Sequence, residues 1–253
     1  MTAPDKDDLL YFLQLAIDCS RESLKARSES MELLVDIDSM LYKFVRESTQ
    51  QIPVTASVLL FNAHASFRAA IRLAISGELM PVFMTLRGCI ESALYANAMV
   101  QDTKLCDVWL SRGKNEDCRK ECRKKFAVNK MIGALEQAHS QEFADRVKLI
   151  YDTSIDFGAH PNYKTILGGV QIDDSSSDET KLQFTYIHDI ESFEARQSLI
   201  ACAETGLRVL FIALICNPDH SDIESIAAEA LSFEERVPIL VKSLGLEGGP
   251  PAA

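Results

Sequence analysis

Glycine and proline are scarce: 11 and 8 among 253 residues. Cheap turns are therefore few, which favours long helices over a many-stranded β fold. Positive charge is also short. The net charge of −11 works against non-specific binding to a polyanion and leaves any nucleic-acid contact to a local basic patch. No phosphate-binding glycine loop, nucleophile elbow or paired Cys-x-x-Cys is present. What is present is ordinary globular material, 47% hydrophobic and 25% charged, with enough length for a real core.

Seven cysteines stand at irregular positions, an odd number that does not suggest a disulfide framework. The acidic opening Thr2-Ala3-Pro4-Asp5-Lys6-Asp7-Asp8 does not read as a secretory leader. The expectation is reduced, mostly core cysteines in a cytoplasmic protein. Residues 79–100 form the longest apolar run, long enough to span a bilayer. Arg87 and Glu91 near its centre would each cost about 2.5–3.5 kcal/mol there, so the run reads as a buried helix and no membrane partner is expected.

Helical periodicity covers 5–26, 28–48, 55–76, 81–102, 115–138, 141–157 and 189–216. Ser221-Asp222-Ile223-Glu224 caps a further helix, and a short last one lies near 234–244. Alternation over 165–172 and 182–187, around the polar stretch 173–179, predicts a β-hairpin near 165–187. The expectation is an all-α multi-helix bundle with that one insertion. It is a single helical domain over 1–247: N-terminal helices 5–48, core helices 55–157, hairpin 165–187 and C-terminal helices 189–244. Residues 248–253 form a tail.

Candidate chemistry lies in polar groups set into apolar sequence. Arg87 and Glu91 share a helix face, and Arg87 could hold a carboxylate or phosphate while Glu91 orients it. The alternative is a buried Arg–Glu pair that fixes helix register. His64, Arg68 and Arg72 recur every four residues as a basic stripe that needs a counter-charge or a bound anion. Glu91, Glu47 and Asp36 are the candidate counter-charges. His160 and Asn162 follow a helix end in a turn braced by Gly158 and Pro161. There a histidine could act as a general acid or base, bind phosphate, or simply cap the helix. Cys118 and Cys122 lack a second pair of ligands at metal spacing, so no metal or other cofactor is expected. Around them Arg119, Lys120, Arg123, Lys124, Lys125 and Lys130 read as a solvated face, or as a contact for nucleic acid or an acidic partner.

An Arg-x-x-x-Glu helix followed by a Tyr…Ser…Gly-Ala-His-Pro turn resembles an uncharacterised family of bacterial all-helical proteins. More distantly it resembles HEPN-like helical domains, over roughly residues 55–215. The resemblance implies a helical bundle, a homodimer, a meeting of Arg87, Glu91 and His160 between helices, and a role in bacterial stress or phage defence. HEPN ribonucleases place an Arg shortly before a His on one helix, and none of the five histidines here has an Arg in the two preceding turns. The expected function is a binding or interaction module whose buried polar site takes a small anionic ligand or nucleotide. The alternatives are a non-standard HEPN-like nuclease or phosphodiesterase using His160 as acid/base, and a dimeric scaffold joined through the apolar 199–215 face.

Overall fold

The computed structural model describes residues 8–48, 52–159, 170–173 and 181–247. The chain enters helix at α1 (Leu9–Ala26), where Asp8 caps the first turn by accepting from the Leu10 amide. α2 (Glu29–Ser48) follows after Arg27, whose left-handed backbone (φ 43) ends α1. α3 (Val54–Ile75) and α4 (Leu79–Gln101) form the central antiparallel pair. Gly77 makes the reversal between them at φ +81, where a side chain would strike the His188 backbone.

The charged stretch after α4 contains α5 (Lys104–Leu110). The helix expected over 115–138 is two, α6 (Glu116–Lys125) and α7 (Val128–Ala138). The break carries neither glycine nor proline. Phe126 leaves the helical conformation and stacks on Tyr95, with ring centroids 4.5 Å apart. α8 (Gln141–Ser154) ends in a π turn over Ile155–Ala159. Gly158 lets that turn touch the start of α4, since a Cβ there would lie 2.5 Å from the Met84 nitrogen.

The fold is all-α. The alternation near 165–187 yields only a ladder of four pairs, Val170–Asp173 antiparallel to Lys181–Phe184, with Val170 opposite Phe184. A hairpin insertion of the expected extent is not seen. The two strands are four residues each, and residues 160–169 and 174–180 lie outside the described residues.

α9 (Phe193–Cys216) runs through the middle of the bundle, against α2, α3 and α4. On it Ile200, Leu207, Leu210 and Ile212 are buried within this chain, while Leu199, Phe211 and Ile215 are half-buried. α10 (Ile223–Ser243) packs on α9 and α2. It replaces the two helices expected there. Pro238 costs one backbone hydrogen bond but does not end the helix, because Val237 and Leu240 are buried on either side of it. By length and composition Val54–Ile75 and Phe193–Cys216 could cross a membrane, and 72% of the apolar window of the second is buried inside the bundle, as a core helix requires. The apolar stripe of α1 faces outward instead: Leu9, Leu10, Leu13 and Ile17 are exposed, and only Ala16 and Ser23 are buried.

Candidate functional site

Four helices converge on a cleft of about 430 Å³, and each supplies residues one turn apart. α4 gives Phe83 and Leu86; α8 gives Arg146, Leu149, Ile150 and Thr153. α9 gives Ala201, Glu204, Thr205 and Arg208; α10 gives Glu234, Val237 and Pro238. Spacings of three and four place such residues on one helix face, so the wall follows directly from helix geometry. The lining is mainly apolar, and its size is that of a small-molecule site.

The polar part of the wall is organised around Arg208. Its side chain is only 7% exposed, and Nη2 donates to Glu234 Oε1 at 2.6 Å. The guanidinium carbon lies 5.8 Å from the Phe143 ring centroid and 5.2 Å from that of Phe211, so aromatic faces hold the cation in place. Arg146 reaches the same Glu234 oxygen through Nη1 and donates to Glu142 through Nη2 at 2.9 Å. Thus Glu234 accepts from two arginines, one of them deep in the wall. Glu204 sits four residues before Arg208 and stays open to solvent. Protein crowding raises its pKa, against the opposing pull of Arg208 and Arg146.

Thr205 completes the set. Its hydroxyl is the one fully buried side-chain polar atom without a hydrogen-bond partner among the described residues. Buried hydroxyls are normally paired, because an unmade bond costs about 1–3 kcal/mol. Pro238, in the opposite wall, has no N–H to offer the carbonyl of Glu234 one turn earlier.

The residues singled out by sequence fall elsewhere. Arg87 Nε donates to Glu91 Oε1 at 2.8 Å, and the Tyr151 hydroxyl donates to the same oxygen at 3.1 Å. The pair is not buried: the side chains are 37% and 29% exposed. α4 is apolar on both sides of the pair, but Arg87 and Glu91 occupy the strip left uncovered. The hydrogen bond to Glu91 raises the Arg87 pKa, and burial followed by the Glu91 charge raises that of Tyr151.

Two members of the basic stripe of α3, His64 and Arg68, share Asp38 of α2, a partner the sequence did not single out. Arg68 grips it with Nε and Nη2 at 2.7 and 2.8 Å, and His64 Nε2 lies 2.7 Å from Oδ1. Arg72 is exposed and makes no ion pair among the described residues. The Asp38 group and the Arg87 group have no partner in common. His160 and Asn162 lie outside the described residues. The basic residues of α6 are exposed, and among the described residues no three His, Cys, Asp or Glu side chains could hold a metal ion.

Asp38 makes a pH prediction. Burial opposes its ionisation, but the hydrogen bonds from Arg68 and His64 outweigh burial and hold its pKa well below the usual range. A depressed pKa contributes stability above the unfolded value, about 3.9, that is lost as pH falls through the folded one. Asp38→Asn is expected to cost about 2 kcal/mol at neutral pH and to flatten the acid limb of stability. Chemical melts at pH 7 and pH 3 measure both. Equal losses at the two pH values would remove the assignment.

The same rule that drew attention to Arg87 and Glu91 applies to the cleft. Within 197–216 the only charges are Glu204 and Arg208, again four apart in an apolar run. The partner Glu234 and the opposing α8 wall could not be read from that segment.

No family model, curated protein or solved structure matches the chain. The class is set by geometry: an all-α bundle with an apolar cleft and a buried cation in its wall.

Proposed function

We propose that this chain is a binding module for a small anionic ligand with an apolar body, held in the cleft among α4, α8, α9 and α10. The observation that carries the reading is Arg208. It is almost fully buried against the adjoining rings of Phe143 and Phe211 in a mainly apolar wall, with Nη2 engaged by Glu234. An arginine can engage several acceptors at once, and a low-dielectric wall strengthens each charged hydrogen bond. A ligand carboxylate can therefore be accommodated beside the two arginines. The apolar lining favours an aliphatic or aromatic body over a nucleotide, whose base, sugar and phosphates all need polar partners.

Undecanoate, undecanol and undecylamine are the probes, titrated by calorimetry. The acid is expected to bind, the alcohol weakly and the amine not at all. Arg208→Met keeps the bulk and removes the charge. It should weaken undecanoate binding at least about 30-fold, since truncating a buried charged partner costs about 2 kcal/mol or more. Binding of the amine as tight as the acid, or undiminished binding in Arg208→Met, would overturn the reading.

A further inference from the structure

We infer that the outward face of α1 is a docking surface for α1 of a second copy of this chain. The contact is independent of the cleft, since no α1 residue lines it. Among the described residues eighteen large apolar side chains are exposed, and seven of them stand on this one helix. Five, Leu9, Leu10, Leu13, Ile17 and Leu24, fall within about 100° of arc on one side of it. Ala16 and Ser23, on the adjoining side, are buried, and Ser23 Oγ donates to the Ile75 carbonyl at 3.1 Å. The helix is therefore held by one side and bare on the next. Leu10, Leu13, Ile17, Ser20 and Leu24 follow the alternating three- and four-residue spacing of a helix-pairing seam. Ser20 does not interrupt it. Its hydroxyl donates to the Ala16 carbonyl of the same helix at 2.8 Å and brings no unmet polar group to a contact.

Area and charge choose the occupant. The five side chains are 46–68% exposed, which leaves on the order of 500 Å² of apolar surface. A twofold contact counts that surface twice, and about 1,000 Å² is where specific interfaces begin. A contact of that size fits a dimer of micromolar affinity. A lipid surface fits less well. The only charges on α1 are Asp18, Arg21, Glu22 and Lys25, which pair along the helix at 3.1 and 2.8 Å. Helices that lie on membranes keep an excess of Lys and Arg, and a net charge of −11 opposes an anionic leaflet. A second α1 offers the same stripe with the same balanced charges, so the contact buries apolar surface without like-charge repulsion across it.

Sedimentation of the full chain over about 1–100 µM tests this. The mass is expected to rise from 28.1 kDa toward twice that value. Leu13→Glu with Ile17→Glu sets carboxylates into the seam and should raise the dissociation constant at least about 100-fold. Both positions are exposed, so the far-ultraviolet helix signal should stay unchanged. Leu10→Ser with Leu24→Ser adds no charge and should raise the constant about tenfold. Leu231→Glu, at a comparably exposed leucine of α10, should leave the dimer intact. A wild-type chain that stays monomeric throughout, or a dimer that survives both double variants, overturns the inference. A monomer that instead sediments with phosphatidylglycerol vesicles also overturns it and assigns the face to lipid.

Discussion

Glu234→Ala is expected to destabilise the fold by about 3–5 kcal/mol, the range for stripping a buried ion pair of one partner. Two arginines lose their shared acceptor at once, and they do not suffer equally. Arg146 is half exposed and keeps Glu142, so water and a second carboxylate compensate it. Arg208 is 7% exposed and packed against Phe143 and Phe211, so its charge has nowhere to go. The reverse substitution is expected to be mild. In Arg208→Met, Glu234 retains Arg146, and the methionine packs against the same two rings, so the cost stays within about 1 kcal/mol. Adding Arg208→Met to Glu234→Ala should then recover most of the loss. Urea melts of the two single variants and the double variant measure it. A double variant as unstable as Glu234→Ala would show that the loss comes from packing and not from the stranded charge. The mild behaviour of Arg208→Met also matters for function, since it separates loss of binding from loss of fold.

Much of this architecture is legible in sequence because helix signals are local. Gly77 and Asn217-Pro218 mark helix ends that the structure has at Ile75 and Cys216. What is not legible is decided by tertiary contacts. The break at Phe126 has no glycine or proline; it exists because a ring finds Tyr95. Pro238 should stop a helix by local rules, and burial of its neighbours overrides it. The polar sites divide in the same way. That His64 and Arg68 need a counter-charge follows from spacing, but Asp38 is chosen by how α2 lies on α3. Arg87 and Glu91 drew attention as charges in an apolar run, yet a run that is apolar in sequence can still leave one strip of its helix in solvent. Arg208 obeys the same sequence rule and is truly enclosed, because α9 is covered by helices on several sides. Periodicity of one helix cannot distinguish the two cases; only the number of neighbours does.

That enclosure depends on Gly206, and its replacement carries the other large expected effect. A Cβ built at Gly206 would lie 2.5 Å from Phe67 Cε2, 2.7 Å from its Cζ and 2.9 Å from Ile37 Cγ2. Both neighbours are fully buried, so neither ring nor methyl has free space to retreat into. Two effects oppose each other. Alanine gains about 1 kcal/mol over glycine in a helix interior, whereas overpacking a filled core costs about 1–3 kcal/mol. With three atoms inside 3 Å the steric cost wins, so Gly206→Ala is expected to be net destabilising by about 1–2 kcal/mol. Gly206→Val brings two further methyls to the same ring and forgoes part of the helical gain, so it should cost about 3 kcal/mol or more. The check is a cycle with Phe67→Leu, which shortens the obstructing side chain. If the clash is the cause, the double variant with Gly206→Ala should be more stable than the sum of the single losses allows, by at least about 1 kcal/mol. Additive losses would place the cost elsewhere along α9. A shift of α9 away from α3 would also move Thr205 and Arg208, which stand one and two residues from Gly206 in the cleft wall. Gly206→Ala is therefore expected to weaken undecanoate binding as well as the fold, while the rescued double variant regains both together.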